Sequence, residues 1–429
     1  MRDEKWLFRA ASLYRMDLIV FLMAAAVRGW YLTQYNNDPF YANLLLDSEY
    51  YDRWASEIAA GNWLGNRVFF VSPLYAYFLA AFHAVFKNAV PWVYAAQFLL
   101  GSFHCVIIYR LGKRLFGDIE GLAAGLLSAF YGHFIFMEGL ILKTSLAYTL
   151  SSLTILVFLR AAEGEKKAPW IAVGVLAGLT ALIIPNFLIF SICVPIAMIS
   201  DRKRDFKPAL MRLAVFSAGL FIVIAPVAYR NYHVGSDMVL ISYNGGFNLF
   251  LGTDRETDGG AKRSGIVPPI PAEEERAAAL TAEGAENRQL TASEVSRYWS
   301  NRAVAQIRSD PAWYLGLMGR KLYRLFNWRE VADNLDFYYF SDKYRILDLP
   351  FMNFGTIVTF GFLGMWLSRR EYGKLTGVYL FMVLFGISLL PFAIFARYRA
   401  PLVPLFMVFA AYATRTIVIN PECPIDKEL

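Results

Sequence analysis

"MDLIVFLMAAAVRGWYLTQYNNDPFYANLLLDSEYYDRW", Met16 to Trp54, decides the fold. The segment up to Tyr35 is apolar and long enough, as a helix, to cross about 30 Å of hydrocarbon. Three acids, Asp47, Glu49 and Asp52, follow closely. A span that opens into an acidic loop is the unit from which the rest can be read.

The same kind of apolar segment recurs at 91–111, 121–137, 142–160, 169–184, 186–200, 208–229, 351–367, 374–392 and 401–419. With the first, these predict an all-α polytopic membrane protein of about 10 (9–12) spans. Composition agrees. Hydrophobic residues make up 57% of the chain and charged ones 18%, against about 25% charged in soluble domains.

A net charge of +7 raises the question of nucleic acid. The basic residues answer it by their placement. Arg2, Lys5, Arg9 and Arg15, then "RLGKR" at 110, "EGEKK" at 163, "DRKRDFK" at 201 and "RREYGK" at 369, all fall on one side of this topology. That is the positive-inside pattern, so the amino terminus is expected in the cytoplasm and no nucleic-acid partner is needed. The first span lies too far into the chain, and is too long, for a cleavable signal and should remain as an anchor. Cys105 and Cys193 sit in spans and Cys423 in the tail, and His104 and His133 are isolated, so no metal site or disulfide framework is read.

The expected organisation is an amino-terminal membrane module, 1–230, containing an outer loop at 36–90; an outer region, 231–350; and carboxy-terminal spans with a short tail, 351–429. In the outer region, "TDGGAKRSGIVPPIPAEEERAAALTAEG" reads as a mobile loop. Helices are expected after the capping box Thr291-Ala-Ser-Glu294 and after Asp310-Pro311, the latter basic, amphipathic and lying on the membrane surface.

If Asp47 to Ala60 is helical, Tyr51, Trp54, Ala55, Ile58 and Ala59 share one face. Glu49, Asp52 and Ser56 then point to water, and Asp47 sits at the edge of the apolar stripe, facing the bundle. Asp47 could equally be a helix N-cap. Glu138, Lys143, Arg397 and Arg399 could be a solvated turn residue, a snorkelling amine and flanking charges. Their shared position at the outer boundary is what groups them, and outer-face cations run against the orientation rule. Arg28, at membrane depth, requires a partner or a polar cavity. Asn244 and Asn248, beside Gly245 and Gly246, offer hydrogen bonds to sugar hydroxyls, with 253–290 as a lid.

The acidic "DSEYYDRWASEIAAGNW", then "SPLYAYFLA", "MEGLILKTS", "IPNFLIF", "YNGGFNLFLGT" and "FARYRAPLVPLF" occur in an order that resembles the GT-C glycosyltransferases. The likeness is to the bacterial branch of protein mannosyltransferases and aminoarabinose transferases, and it runs over residues 16–419. It implies a GT-C bundle with amphipathic juxtamembrane helices and a polyprenyl phosphate monosaccharide donor. It also implies inverting transfer to a protein, lipid or glycan hydroxyl at the outer face of a bacterial inner membrane, with no certain cofactor beyond that donor. By the family's acidic motif, Asp47 is the general base. Ser48 stands where a second acid is common, which leaves Glu49 or Glu138 to take any second acidic role. Ser72 before Pro73 replaces a lysine found in some relatives, so Lys143, Lys321, Arg397 and Arg399 become the candidates for the donor phosphate. A flippase for a lipid-linked sugar, or a noncatalytic assembly subunit, would carry much of the same pattern.

Overall fold

The computed structural model describes residues 2–200, 206–256, 259 and 271–419. Among these residues the regular elements are all helical, and each apolar segment read from the sequence is largely helix. By length and composition, Tyr14–Tyr35, Val90–Leu115, Thr144–Glu163 and Lys207–Gly235 can each cross a membrane. Asp118–Phe130 and Gly132–Glu138 form a further pair, bent by 54°. Pro169–Ala181, Pro185–Met198, Gly373–Leu389 and Val403–Val418 are also apolar but shorter. The chain is a multi-pass membrane protein.

The bend has a local cause. Tyr131 leaves helical geometry at φ −74°, ψ 103°. Gly132, which follows it, packs so closely on the carbonyl of Leu347 that a β-carbon would overlap it. Glycine alone allows that approach. The short helix beyond the bend, Gly132–Glu138, is wholly buried and ends at Glu138.

Three apolar clusters hold the site in place. The largest joins Ile108, Phe134, Ile155, Trp170, Phe187, Phe381 and Phe406 within the bundle. A second, rich in tyrosine, packs Tyr31, Tyr35, Tyr75 and Tyr94 against Tyr51, Ala55 and Ile58 of the Asp47–Ala59 helix, and against Phe340 and Tyr344. The third gathers Phe70, Phe247, Phe250, Ala278, Ala282 and Trp299.

That third cluster corrects the reading of the 257–284 stretch as a loop without helix. Pro271–Glu286 is a helix, with Ala278 and Ala282 buried and the indole of Trp299 donating to the Ala278 carbonyl at 3.0 Å. Its Ala and Glu content favours helix, and the alanines supply the narrow face that Trp299 needs. Residues 257–258 and 260–270 of the proposed lid lie outside the described residues. The two other outer helices start as expected. The Glu294 carboxylate accepts from the Thr291 N–H at 2.9 Å, and the Asp310 carboxylate accepts from the Trp313 N–H at 3.0 Å. The second of them, Pro311–Phe326, leaves Leu315, Leu322 and Tyr323 exposed, as a helix lying on a membrane would.

Candidate active site

A cavity of about 280 Å³ opens where these outer segments meet the bundle, lined among others by Asp47, Ser72, Lys143, Asn186, Asn244, Asn248, Glu274, Arg397 and Tyr398. Its apolar wall is built from Ile184, Leu251, Phe385, Leu389 and Phe392. Polar groups from seven separate stretches of the sequence therefore converge on one space beside a greasy surface, the composition expected of a ligand site.

Asp47 reaches the cavity through an unusual turn. Leu46, which precedes the helix, has φ 53° and ψ −122°, in the region that non-glycine residues avoid, and makes no side-chain cap. Asp47 is consequently the first residue of the helix and not its N-cap, which removes the capping reading. Its carboxylate accepts instead from Arg397 Nη1 at 2.6 Å. Backbone strain that aims a carboxylate at a cavity is typical of functional positions.

Arg397 is held from two sides, by Asp47 on Nη1 and by Asp333 on Nη2 at 2.5 Å. Its side chain is 11% exposed and that of Asp47 20%, so both reach the cavity without lying open to solvent. Lys143 stands immediately before the Thr144–Glu163 span, on the same cavity. Its ammonium has no hydrogen-bonding partner among the described residues. Burial in the cavity wall and the charge of Arg397 push its pKa down to about 8, against the pull of Asp47. Two carboxylates, Asp47 and Glu274, and two cations thus line the cavity, and Asp47 is the one paired with Arg397.

Asn244 and Asn248 sit at the start of the Gly245–Thr253 helix and also line the cavity. They are placed there because Tyr243 and Asn244 donate backbone N–H groups to the carbonyls of Phe69 and Phe70, both at 3.1 Å. Asn186, at the "IPNFLIF" step, completes the polar lining and donates to the Ser388 carbonyl at 3.3 Å.

The remaining sequence candidates lie elsewhere. Glu138 and Arg28 bind each other inside the bundle, Nε to Oε2 at 2.7 Å and Nη2 to Oε1 at 2.9 Å, with Tyr148 donating to Oε1 at 2.6 Å. At 0% and 1% exposure this pair does not face the cavity. Glu138 is therefore neither a solvated turn residue nor a second acid at the cavity, since its carboxylate is taken up by Arg28 and Tyr148. Lys321 is fully buried and donates to the carbonyls of Gly252, Leu390 and Pro391, which fixes the outer helix to the wall behind the cavity instead of reaching a ligand. Arg399, also buried, pairs with Glu330 at 2.8 Å, lies over the Phe354 ring and binds the carbonyls that end the Pro311–Phe326 helix. Glu49 is exposed on the outer side of its helix, as its spacing predicts. Asp52 departs from the same prediction, because His83 Nε2 of the next helix holds it at 2.9 Å.

Asp333 was missed. It lies in "NWREVADNLDF", which shows neither helical nor strand periodicity, and the only signal was one acid among several in a long outer segment.

Comparison with known proteins gives two kinds of match. Residues 71–229 match the family model of the dolichyl-phosphate-mannose-protein mannosyltransferases. No curated protein sequence matches the chain. Among solved structures, the Archaeoglobus fulgidus oligosaccharyltransferase in its apo form aligns over 95% of this chain and 51% of its own, at 14% identity and a TM-score of 0.56. The same organism's AglB, in complex with an inhibitory peptide and a dolichol-phosphate, aligns over 98% and 52%, at 13% identity and a TM-score of 0.55. ArnT from Cupriavidus metallidurans bound to undecaprenyl phosphate covers 99% of this chain and 81% of its own, at 12% identity, but its TM-score of 0.39 is too low to argue from. The chain spans about half the length of the oligosaccharyltransferases it matches. Through those oligosaccharyltransferases over nearly its whole length, and through the mannosyltransferase pattern within residues 71–229, this chain has the GT-C fold.

Proposed function

We propose that this protein is an inverting glycosyltransferase that moves a sugar from a polyprenyl phosphate donor to a hydroxyl acceptor. One observation carries the reading: Asp47, Lys143 and Arg397, far apart in sequence, meet at a single cavity with an apolar wall. The acceptor hydroxyl gives its proton to the Asp47 carboxylate as its oxygen forms a bond to the anomeric carbon. The bond from that carbon to the phosphate oxygen breaks with both electrons going to the phosphate. The polyprenyl phosphate that leaves gains charge as it does so, and Lys143 and Arg397 are placed to receive it. Arginine suits this task because its planar fork matches phosphate oxygens. Asn244, Asn248 and Asn186 supply hydrogen bonds for sugar hydroxyls. The mannosyltransferase family match, and the dolichol-phosphate in the AglB complex, support a lipid-linked donor.

The site belongs to the outer face of the membrane in this reading. Lys143 precedes a helix of 20 residues, about 30 Å long, and the basic 163–167 segment lies at its far end. If basic loops mark the cytoplasm, the cavity faces away from it. In a bacterium the site would be on the periplasmic side of the inner membrane. The test is to incubate protein in proteoliposomes with a polyprenyl phosphate sugar and an acceptor extract. Release of free polyprenyl phosphate is expected. Passage of intact donor across the vesicle without release would identify a flippase and overturn the reading, and binding with neither would point to an assembly subunit.

A further inference from the structure

The Asp47 carboxylate is already engaged, and this bears on how it can act. Arg397 Nη1 holds it at 2.6 Å. A carboxylate in such a contact is a poor proton acceptor, because taking a proton would sacrifice a charge-assisted hydrogen bond. Arg397 also presents its other terminal nitrogen to Asp333 at 2.5 Å, on the side of Val331, Ala332 and Asn334. Asp333 is 7% exposed and is absent from the lining of the large cavity, whereas Asp47 and Arg397 line it. The two carboxylates are therefore not equivalent. One faces the ligand space, and the other anchors the arginine from behind. Arg397 Nε is buried with no hydrogen-bond partner among the described residues, so the guanidinium retains donor capacity.

We propose that Arg397 exchanges partners during the reaction: the donor phosphate takes the Nη1 position that Asp47 occupies, while Asp333 keeps the guanidinium in place. Arrival of the donor thereby releases Asp47 from Arg397, so that this contact no longer opposes its taking the acceptor's proton, and the contact masks the base until the sugar is bound. Asp333 is a positioning residue that touches neither sugar nor acceptor. The proposal rests on the phosphate-binding part of the function given above. No bond is made or broken in the exchange, only ion-pair partners.

The exchange predicts an effect that is unusual for a catalytic base. The probe is undecaprenyl phosphate, titrated into the full-length protein in nanodiscs, with no sugar and no turnover. Because Asp47 competes with the phosphate for Arg397, Asp47→Asn should bind the probe about tenfold more tightly than wild type. Asp333→Asn leaves Arg397 with Asp47 as its single charged partner of the two, so the phosphate must break a firmer pair and binding should weaken several-fold. That weakening should largely vanish in the Asp47→Asn, Asp333→Asn double variant, because no ionised Asp47 remains to compete. A purely structural Asp333 would instead lower the melting temperature and weaken binding equally in both backgrounds. If Asp333→Asn does not fold, Asp333→Glu retains the charge and should bind close to wild type, and the Asp47→Asn titration still decides. Equal or weaker binding by Asp47→Asn overturns the exchange. These titrations do not use turnover, so absence of glycosyl transfer by wild type would count against the transferase reading and leave the exchange to be judged by binding alone.

Discussion

Two arginine–carboxylate pairs in this molecule have the same chemistry and different surroundings. Arg28 and Glu138 meet in a bidentate pair at 1% and 0% exposure, closed over by Tyr148 and by Gly101, where a β-carbon would overlap the Glu138 carboxylate. Gln97 holds the same turn by donating to the carbonyls of Glu138 and Leu140 at 2.9 and 2.8 Å. Arg397 and Asp47 meet through one nitrogen and one oxygen, at the rim of a cavity. The first pair satisfies its own hydrogen-bonding groups within the bundle. The second borders a cavity, and in the proposed reading that position, more than burial or charge, separates the site from a structural ion pair.

The sharpest test of the contrast is Asp47→Asn. Asparagine has nearly the same shape but cannot accept the acceptor's proton, and because Leu46 and not Asp47 is the N-cap residue the helix should keep its start. Transfer should fall by about 10²–10⁴-fold, the usual worth of a positioned base, while the melting temperature stays near wild type. Near-normal turnover in a well-folded variant would place the base elsewhere.

The inner pair should respond in the opposite way. Glu138→Gln leaves Arg28 charged and buried without its counter-ion, a loss of about 3–5 kcal/mol in stability for pairs of this kind. Arg28→Met with Glu138→Leu should recover much of that loss, since apolar replacement of a buried pair is often neutral or better. Thermal unfolding in detergent reads both. If the double variant folds but transfers no sugar, the inner pair has a role in chemistry that its geometry does not suggest.

Sequence reasoning could not have separated these pairs, for an identifiable reason. Periodicity reports which face of a helix a residue occupies, and it placed Tyr51, Ala55 and Ile58 inward and Glu49 outward correctly. It also set Asp47 at the edge facing the bundle. What it lacks is the partner. Arg28 finds Glu138 across 110 residues and Arg397 finds Asp47 across 350, distances over which a single sequence carries no pairing signal. Lys321 and Arg399 looked like phosphate ligands on the same ground, and the fold turned both toward backbone carbonyls. The Pro271–Glu286 helix was hidden by the Gly- and Pro-rich run before it, which made the whole stretch read as a loop.

Lys143 gives a smaller and pH-dependent effect at the outer pair. With its pKa pushed down to about 8 by burial and by Arg397, the ammonium is charged below that pH and loses its proton as the pH rises through it. Affinity for undecaprenyl phosphate should therefore fall above about pH 8, by about ten- to a hundredfold if one charged hydrogen bond worth about 1.5–3 kcal/mol is lost. Bound phosphate will itself favour the charged form and move the limb upward. Lys143→Arg stays protonated throughout and should remove the limb. An unchanged pH profile in Lys143→Arg would exclude Lys143 from contact with the phosphate.

The smallest effect is expected at the acids that share a helix with Asp47. Asp52 meets His83 at 2.9 Å, but the two side chains are 27% and 18% exposed, and such pairs are usually worth about 0–1 kcal/mol. The Asp47–Ala59 helix is held mainly by burying Tyr51, Ala55 and Ile58, and a large apolar side chain such as Ile58 gains about 1.5–3 kcal/mol on full burial. Removing one rim contact should not move Asp47 relative to Arg397, which is anchored independently through Asp333. Asp52→Asn should thus transfer sugar within about twofold of wild type, the size of effect that 0.4 kcal/mol produces, and exposed Glu49→Gln should be milder still. A hundredfold loss in Asp52→Asn would mean that the rim contact sets the helix in register with the cavity. The contrast between the two ion pairs would then extend outward to the helix surface, and the Asp52–His83 contact would have to be counted with the site.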